Sequence, residues 1–132
     1  LRDHHDEIGS LGAQAIGVGM GSVETARALT HSMGLPYLLL VDGERELYRA
    51  FGTRRAGLYS LIGPPVIIAA FRALRRGFRQ THVESDPRQL GGTFIVDADG
   101  EIRARREARF AGDHAHWPWI RAAILDAVTP AR

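Results

Sequence analysis

Short unbroken apolar runs alternate along this chain with apolar residues spaced at helical intervals, a pattern that predicts strands alternating with helices. Leu1 to Ile8 reads as the tail of a helix, with Gly9 as its stop signal and Ser10-Leu11-Gly12 as the turn. Ala13 to Met20 is an apolar run of the kind a buried parallel strand carries. Ser22 suits an N-cap, and Val23 to Met33 is helical, with Val23, Ala26, Leu29 and Met33 as its apolar stripe. Gly34 falls where a left-handed C-terminal residue belongs, and Pro36 follows. Tyr37 to Val41 predicts a second buried strand. Asp42-Gly43 then turns the chain into a short helix, Glu44 to Phe51, closed by Gly52.

The pattern changes over residues 53–91, which read as an insertion. Pro64-Pro65 can start a helix, Val66 to Arg76 is helical up to Gly77, and Thr81 to Leu90 reads as an exposed loop. Thr93 to Val96 predicts another buried strand. Asp97, Asp99 and Gly100 supply turn chemistry, and Glu101 to Arg109 returns as the second arm of a hairpin. Asp113 or His116 caps a last helix that tolerates Pro118 in its first turn and buries Ile120, Ile124 and Val128.

Composition narrows the class. A chain of 132 residues makes one domain, 1–132, with room for a hydrophobic core, and 45% hydrophobic with 24% charged residues is the balance of a soluble globular protein. With no cysteine, it can form neither a disulfide nor a thiolate–metal site. The formal charge is only +2, but it is unevenly placed: no acidic residue lies between Glu46 and Glu84, where seven arginines fall. The polar opening Leu1 to Asp6 does not read as a signal peptide. The longest uncharged run, Ala56 to Phe71, is broken by two prolines and is shorter than the roughly 20 residues of a membrane span. The expected compartment is the cytoplasm.

The order of elements has a counterpart. Gly34-Leu35-Pro36-Tyr37-Leu38-Leu39-Leu40-Val41-Asp42-Gly43-Glu44-Arg45-Glu46-Leu47-Tyr48-Arg49-Ala50-Phe51-Gly52 resembles a peroxiredoxin segment, and Gly91-Gly92-Thr93-Phe94-Ile95-Val96-Asp97 resembles the strand after the cleft loop in the same superfamily. With the Arg-rich helix and Ala111-Gly112-Asp113-His114-Ala115, the chain resembles the AhpC/TSA-type peroxiredoxin-like proteins, specifically the peroxiredoxin-like 2 branch. The resemblance implies a thioredoxin-like fold, a three-layer α/β/α sandwich with a mixed sheet. It implies thiol-dependent antioxidant or oxidoreductase chemistry on a peroxide or protein disulfide, with a thiol reductant.

In such proteins the redox cysteine lies between the first core strand and the first core helix. Leu1 to Ile8 matches the later part of that helix. The expectation is therefore that the central strand and redox motif lie upstream of Leu1, that this chain is an N-terminally truncated domain lacking both, and that no residue here is catalytic. The cleft loop carries over as Gly92 and Thr93, where relatives place a cis-proline followed by Thr. A cis bond at glycine would cost about 2.5–4 kcal/mol, so close backbone approach is the expected use of Gly92. The arginine that many peroxiredoxins place before this strand is replaced by Gly91 and Gly92.

Other readings compete. Gly17-Val18-Gly19-Met20-Gly21-Ser22 stands between a strand and a helix, with Asp42 closing the next strand, as a dinucleotide site requires. Its third glycine position is Ser22, so a tight turn is the plainer use, and no cofactor is expected. Asp3, His4, His5 and Asp6, like Asp113, His114 and His116, could suggest a metal, but adjacent histidines diverge on a helix and Asp113 reads as a cap. Arg72, Arg75, Arg76 and Arg79 form one basic stripe, with Phe71, Leu74 and Phe78 as an apolar stripe on another side. Its plain reading is the solvated face of a cover helix; its sharper one is a patch facing an anionic membrane surface. Nucleic acid is not expected, and a homodimer is left open. The rival function is a redox-inactive binding module on the same fold.

Overall fold

The computed structural model describes residues 1–55, 88–110 and 113–129. A 3-10 turn, Arg2–His4, leads into α1 (His5–Ser10), followed by β1 (Ile16–Gly19), α2 (Val23–Met33), β2 (Leu38–Val41) and α3 (Glu46–Ala50). After residue 88 come β3 (Gly92–Val96), β4 (Ile102–Glu107) and α4 (Trp117–Val128). The expected helix at Val66 to Arg76, its stripe Arg72, Arg75, Arg76 and Arg79, and most of the loop Thr81 to Leu90 lie outside the described residues.

Local signals set the helix ends. Ser22 accepts the Thr25 N–H at 3.2 Å and caps α2. Gly34 adopts φ 56 while the Leu35 N–H reaches the Thr30 carbonyl at 3.0 Å, so the left-handed end expected there is present. The first helix differs from expectation. It runs through Gly9 to Ser10, and the turn after it closes at Gly12, which adopts φ 77, with Ala13 N–H donating to the Ile8 carbonyl at 3.2 Å. Either glycine could have set the turn; the one whose bonds close on Ile8 and Gly9 does so. The third helix starts at Glu46 rather than Glu44, because Arg45 sits in the left-handed region at φ 57.

Among the described residues the strands form two two-stranded sheets. β1 and β2 are parallel, with Ile16 opposite Leu38 and Val18 opposite Leu40. β3 and β4 are antiparallel, with Thr93 opposite Arg106 and an irregularity between Ile95 and Val96. Both sheets touch one core of Ile8, Ala15, Ile120 and Ile124, through Tyr37 beside β2 and Ile95 in β3.

Three burial expectations are corrected. β1 and β2 are not buried on both faces: Ile16, Val18, Leu38 and Leu40 share one exposed face, with Leu38 at 53%. In α2, Val23 and Leu29 are exposed, and in α4 Ile120 and Ile124 are buried while Val128 is 50% exposed. In β3, Val96 is exposed at 44%, and the strand is half-buried rather than buried. An apolar face sinks only when another element packs on it, and among the described residues α1 and α4 meet in one cluster, Ile8, Ala15, Ile120 and Ile124.

Candidate functional site

The hairpin is built around Asp97. Its Oδ1 accepts N–H groups from Asp99 at 3.0 Å and Glu101 at 2.9 Å, while Oδ2 takes the Arg103 guanidinium. These bonds, the Glu101 N–H first, hold the Asp97 carboxyl below its ordinary range. Turn and register together place Gly92 opposite Glu107 and Thr93 opposite Arg106 at the far end of the hairpin.

There the chain needs a residue without a side chain. A Cβ on Gly92 would stand 2.9 Å from Phe94 Cε2 and 3.2 Å from the Arg106 carbonyl. Gly92 therefore allows its own strand and β4 to approach closely. No peptide bond among the described residues is cis.

Beside it opens a cleft of about 270 Å³, lined among the described residues by the polar Gln89, Thr93, Arg106, Asp113 and His114, by Leu90, Ala108 and Phe110, and by the two glycines. Gln89 is fixed, because its amide donates to Thr53 Oγ1 at 2.9 Å and to the Leu90 carbonyl at 3.2 Å. Asp113 does not cap α4. That helix begins after His116, with no side-chain cap, and Asp113 instead accepts the Arg109 N–H at 3.0 Å and Arg106 Nη2 at 3.4 Å. Burial raises the Asp113 pKa, but the Arg109 N–H and the Arg106 and Arg109 guanidiniums outweigh it, so the carboxyl lies below its ordinary range. An ionised Asp113 thus steadies Arg106 at the mouth of the cleft.

Gly92 and Thr93 consequently share a cleft with Arg106, Asp113, Gln89 and His114. Arg106 is visible in the sequence only once the hairpin register is known, and Asp113 reads there as a cap. What the cleft offers is backbone groups, one hydroxyl, a guanidinium and an imidazole, a set able to bind and orient a polar substrate. Among the described residues no three His, Cys, Asp or Glu side chains gather as a metal would require.

The other candidates fall elsewhere. His4 stacks on Trp117 at 4.2 Å, and its Nδ1 lies 3.5 Å from Glu7. Gly17 packs under Leu39, where a Cβ would meet Cδ1 at 2.8 Å. Both oxygens of Asp42 are taken by backbone, Oδ1 by Glu46 N–H at 2.8 Å and Oδ2 by Tyr48 N–H at 3.2 Å. Asp42 is thus the cap that starts α3. No helix among the described residues is long and apolar enough to cross a membrane.

Comparison with curated proteins finds no match. A family model described as AhpC/TSA antioxidant enzyme matches residues 1–109, covering α1 to α3 and the whole hairpin, with the mixed α/β make-up of a thioredoxin-like fold. The chain therefore belongs to the AhpC/TSA antioxidant enzyme family.

Proposed function

We propose that this chain is the substrate-positioning portion of a peroxiredoxin-like protein of the peroxiredoxin-like 2 branch, acting on a peroxide or a protein disulfide with a thiol reductant. The observation that carries the reading is the family match over residues 1–109 falling on a chain whose Gly92–Thr93 loop borders a cleft with both polar and apolar walls. The thiolate that attacks such a substrate must come from a residue this sequence does not contain. Attack forms an S–O bond at that sulfur as the peroxide O–O bond breaks and hydroxide or alkoxide leaves, or an S–S bond as the substrate disulfide breaks and one thiolate leaves. The thiol reductant then returns the sulfur to the thiol. The part left to this chain is to hold the substrate against the loop, with Thr93 and Arg106 as hydrogen-bond donors.

In this reading a strand carried ahead of Leu1 lies between β1 and β3 and joins the two sheets into the middle layer of an α/β/α sandwich. Its support is that, among the described residues, β1 pairs only with β2 and β3 only with β4, while both sheets rest on one core. The deciding experiment is peroxide consumption with a dithiol reductant, comparing residues 1–132 with the chain extended by the residues encoded ahead of Leu1. Turnover by the extended chain alone is expected. Turnover by residues 1–132 at the same rate, surviving repurification, would sink the assignment.

The absence of cysteine favours one second reading, a redox-inactive module that uses the same cleft for binding. An extended chain that also lacks a cysteine would select it.

A further inference from the structure

Peroxide reduction makes a demand that holding the substrate does not meet. When a thiolate attacks the terminal oxygen of an organic hydroperoxide, the O–O bond breaks and an alkoxide leaves. That strong base departs readily only if a proton reaches it. The residues bordering the cleft differ in their ability to give one. Arginine does not lose its proton in proteins, so Arg106 can orient an oxygen but not protonate it. At Asp113 the effect of burial is outweighed by the Arg109 N–H and the Arg106 and Arg109 guanidiniums, so the carboxyl is ionised at neutral pH. The Gln89 amide is no acid, and its Nε2 already donates to Thr53 and Leu90. Among the described residues of this wall, His114 carries the side-chain type that exchanges a proton between pH 5 and 8.

The chain fixes His114 from both sides. Before it, the Asp113 N–H donates to the Phe110 carbonyl at 3.1 Å, and the Asp113 carboxylate accepts the Arg109 N–H at 3.0 Å. After it, Ala115 packs against the core of Ile8, Ala15, Ile120 and Ile124. His114 itself is exposed, so its ring can recover a proton from water. Thr93 and His114 border the same cleft of about 270 Å³, and a peroxide lying against the Gly92–Thr93 loop therefore has His114 on its wall.

We propose that His114 is a catalytic residue of the peroxide step, the general acid that protonates the leaving alkoxide. This role rests on the peroxiredoxin-like reading and adds chemistry to the positioning already assigned to the chain. In the step, the thiolate sulfur bonds the terminal oxygen and becomes a sulfenic acid as the O–O bond breaks. The leaving oxygen takes the proton of the His114 imidazolium, giving an alcohol and a neutral imidazole. Two molecules of the thiol reductant return the sulfenic acid to the thiol, with a disulfide and water as products. The proton shed when that thiol ionises again balances, through solvent, the one His114 gave up.

Two peroxides separate this role from a structural one. tert-Butyl hydroperoxide releases an alkoxide, whereas peracetic acid releases acetate, which leaves without a proton because carboxylates are ionised at neutral pH. The chain extended by the residues encoded ahead of Leu1 is assayed with both, using a dithiol reductant, and the ratio of the two kcat/KM values is read. That ratio does not depend on how much of a variant is folded. His114→Gln and His114→Asn each lower the ratio of tert-butyl hydroperoxide to peracetic acid about a hundredfold, the lower end of what a positioned acid contributes. His116→Gln removes a neighbouring imidazole that makes no side-chain cap, and it leaves the ratio unchanged. An unchanged ratio in the His114 variants, or an equal fall in His116→Gln, overturns the assignment alone. Absence of turnover of either peroxide by the extended parent chain overturns the peroxiredoxin-like reading and the assignment with it.

Discussion

Arg121 Nε lies 3.0 Å from Glu7 Oε1, tying the last helix to the first across 114 residues of sequence. The pair is half-exposed, so its own contribution is small, about 0–1 kcal/mol. The apolar contact beneath it is worth more, because Ile124 is 4% exposed and packs with Ile8, Ala15 and Ile120. Urea denaturation of Ile124→Ala should show a loss of about 2–5 kcal/mol, and Arg121→Ala a loss under about 1 kcal/mol. Equal losses would mean that the ion pair, rather than the core, docks α4.

Gly92→Ala places a methyl group against Phe94 and the Arg106 carbonyl, so the β3–β4 hairpin must shift. A cost of about 1–3 kcal/mol is expected. Gly19→Ala meets nothing within 4 Å and serves as the comparison. Thermal melting of the two variants should separate them, and an equally mild Gly92→Ala would show the close approach to be dispensable.

Asp42→Ala removes the acceptor of two N–H groups at the start of α3 from a side chain that is 7% exposed. A destabilisation of about 1–3 kcal/mol is expected. Tyr48→Phe, which loses only the hydroxyl donating to the Val18 carbonyl at 3.1 Å, should cost about 0.5–1.5 kcal/mol. Chemical denaturation that ranks them in the opposite order would show that the α3 cap is not a principal tie.

The lowered Asp113 pKa makes a signed statement about acid. A carboxyl depressed in the folded state adds stability fully present above its unfolded value, near 3.9, and lost as pH falls through the folded value. The stability gap between the native chain and Asp113→Asn should therefore be constant from neutral pH to about pH 5 and close below about pH 4. A gap that persists unchanged in acid would show that the Asp113 charge is not what holds Arg106 and the Arg109 N–H.

Local chemistry made much of this fold readable. The cap at Ser22, the left-handed Gly34 and the Asp97–Gly100 turn each depend on a few adjacent residues, and each stands where the sequence places it. Burial was less readable. Ile16 and Leu38 carry the pattern of a strand covered on both sides, but pattern states what a face could bury, while packing decides whether it does. The cleft was half legible: Gly92 and Thr93 are recognisable by motif, whereas Arg106 enters through hairpin register and Asp113 through a contact seven residues away.

The ring of His4 lies 4.2 Å from that of Trp117 at an interplanar angle of 5°. Of the two tryptophans in the chain, this one is stacked directly against the opening segment. Its emission is therefore a built-in optical gauge of whether the chain's beginning is seated on its end. Any event that draws the first helix away, such as insertion of a strand beside β1, becomes visible as light without a label.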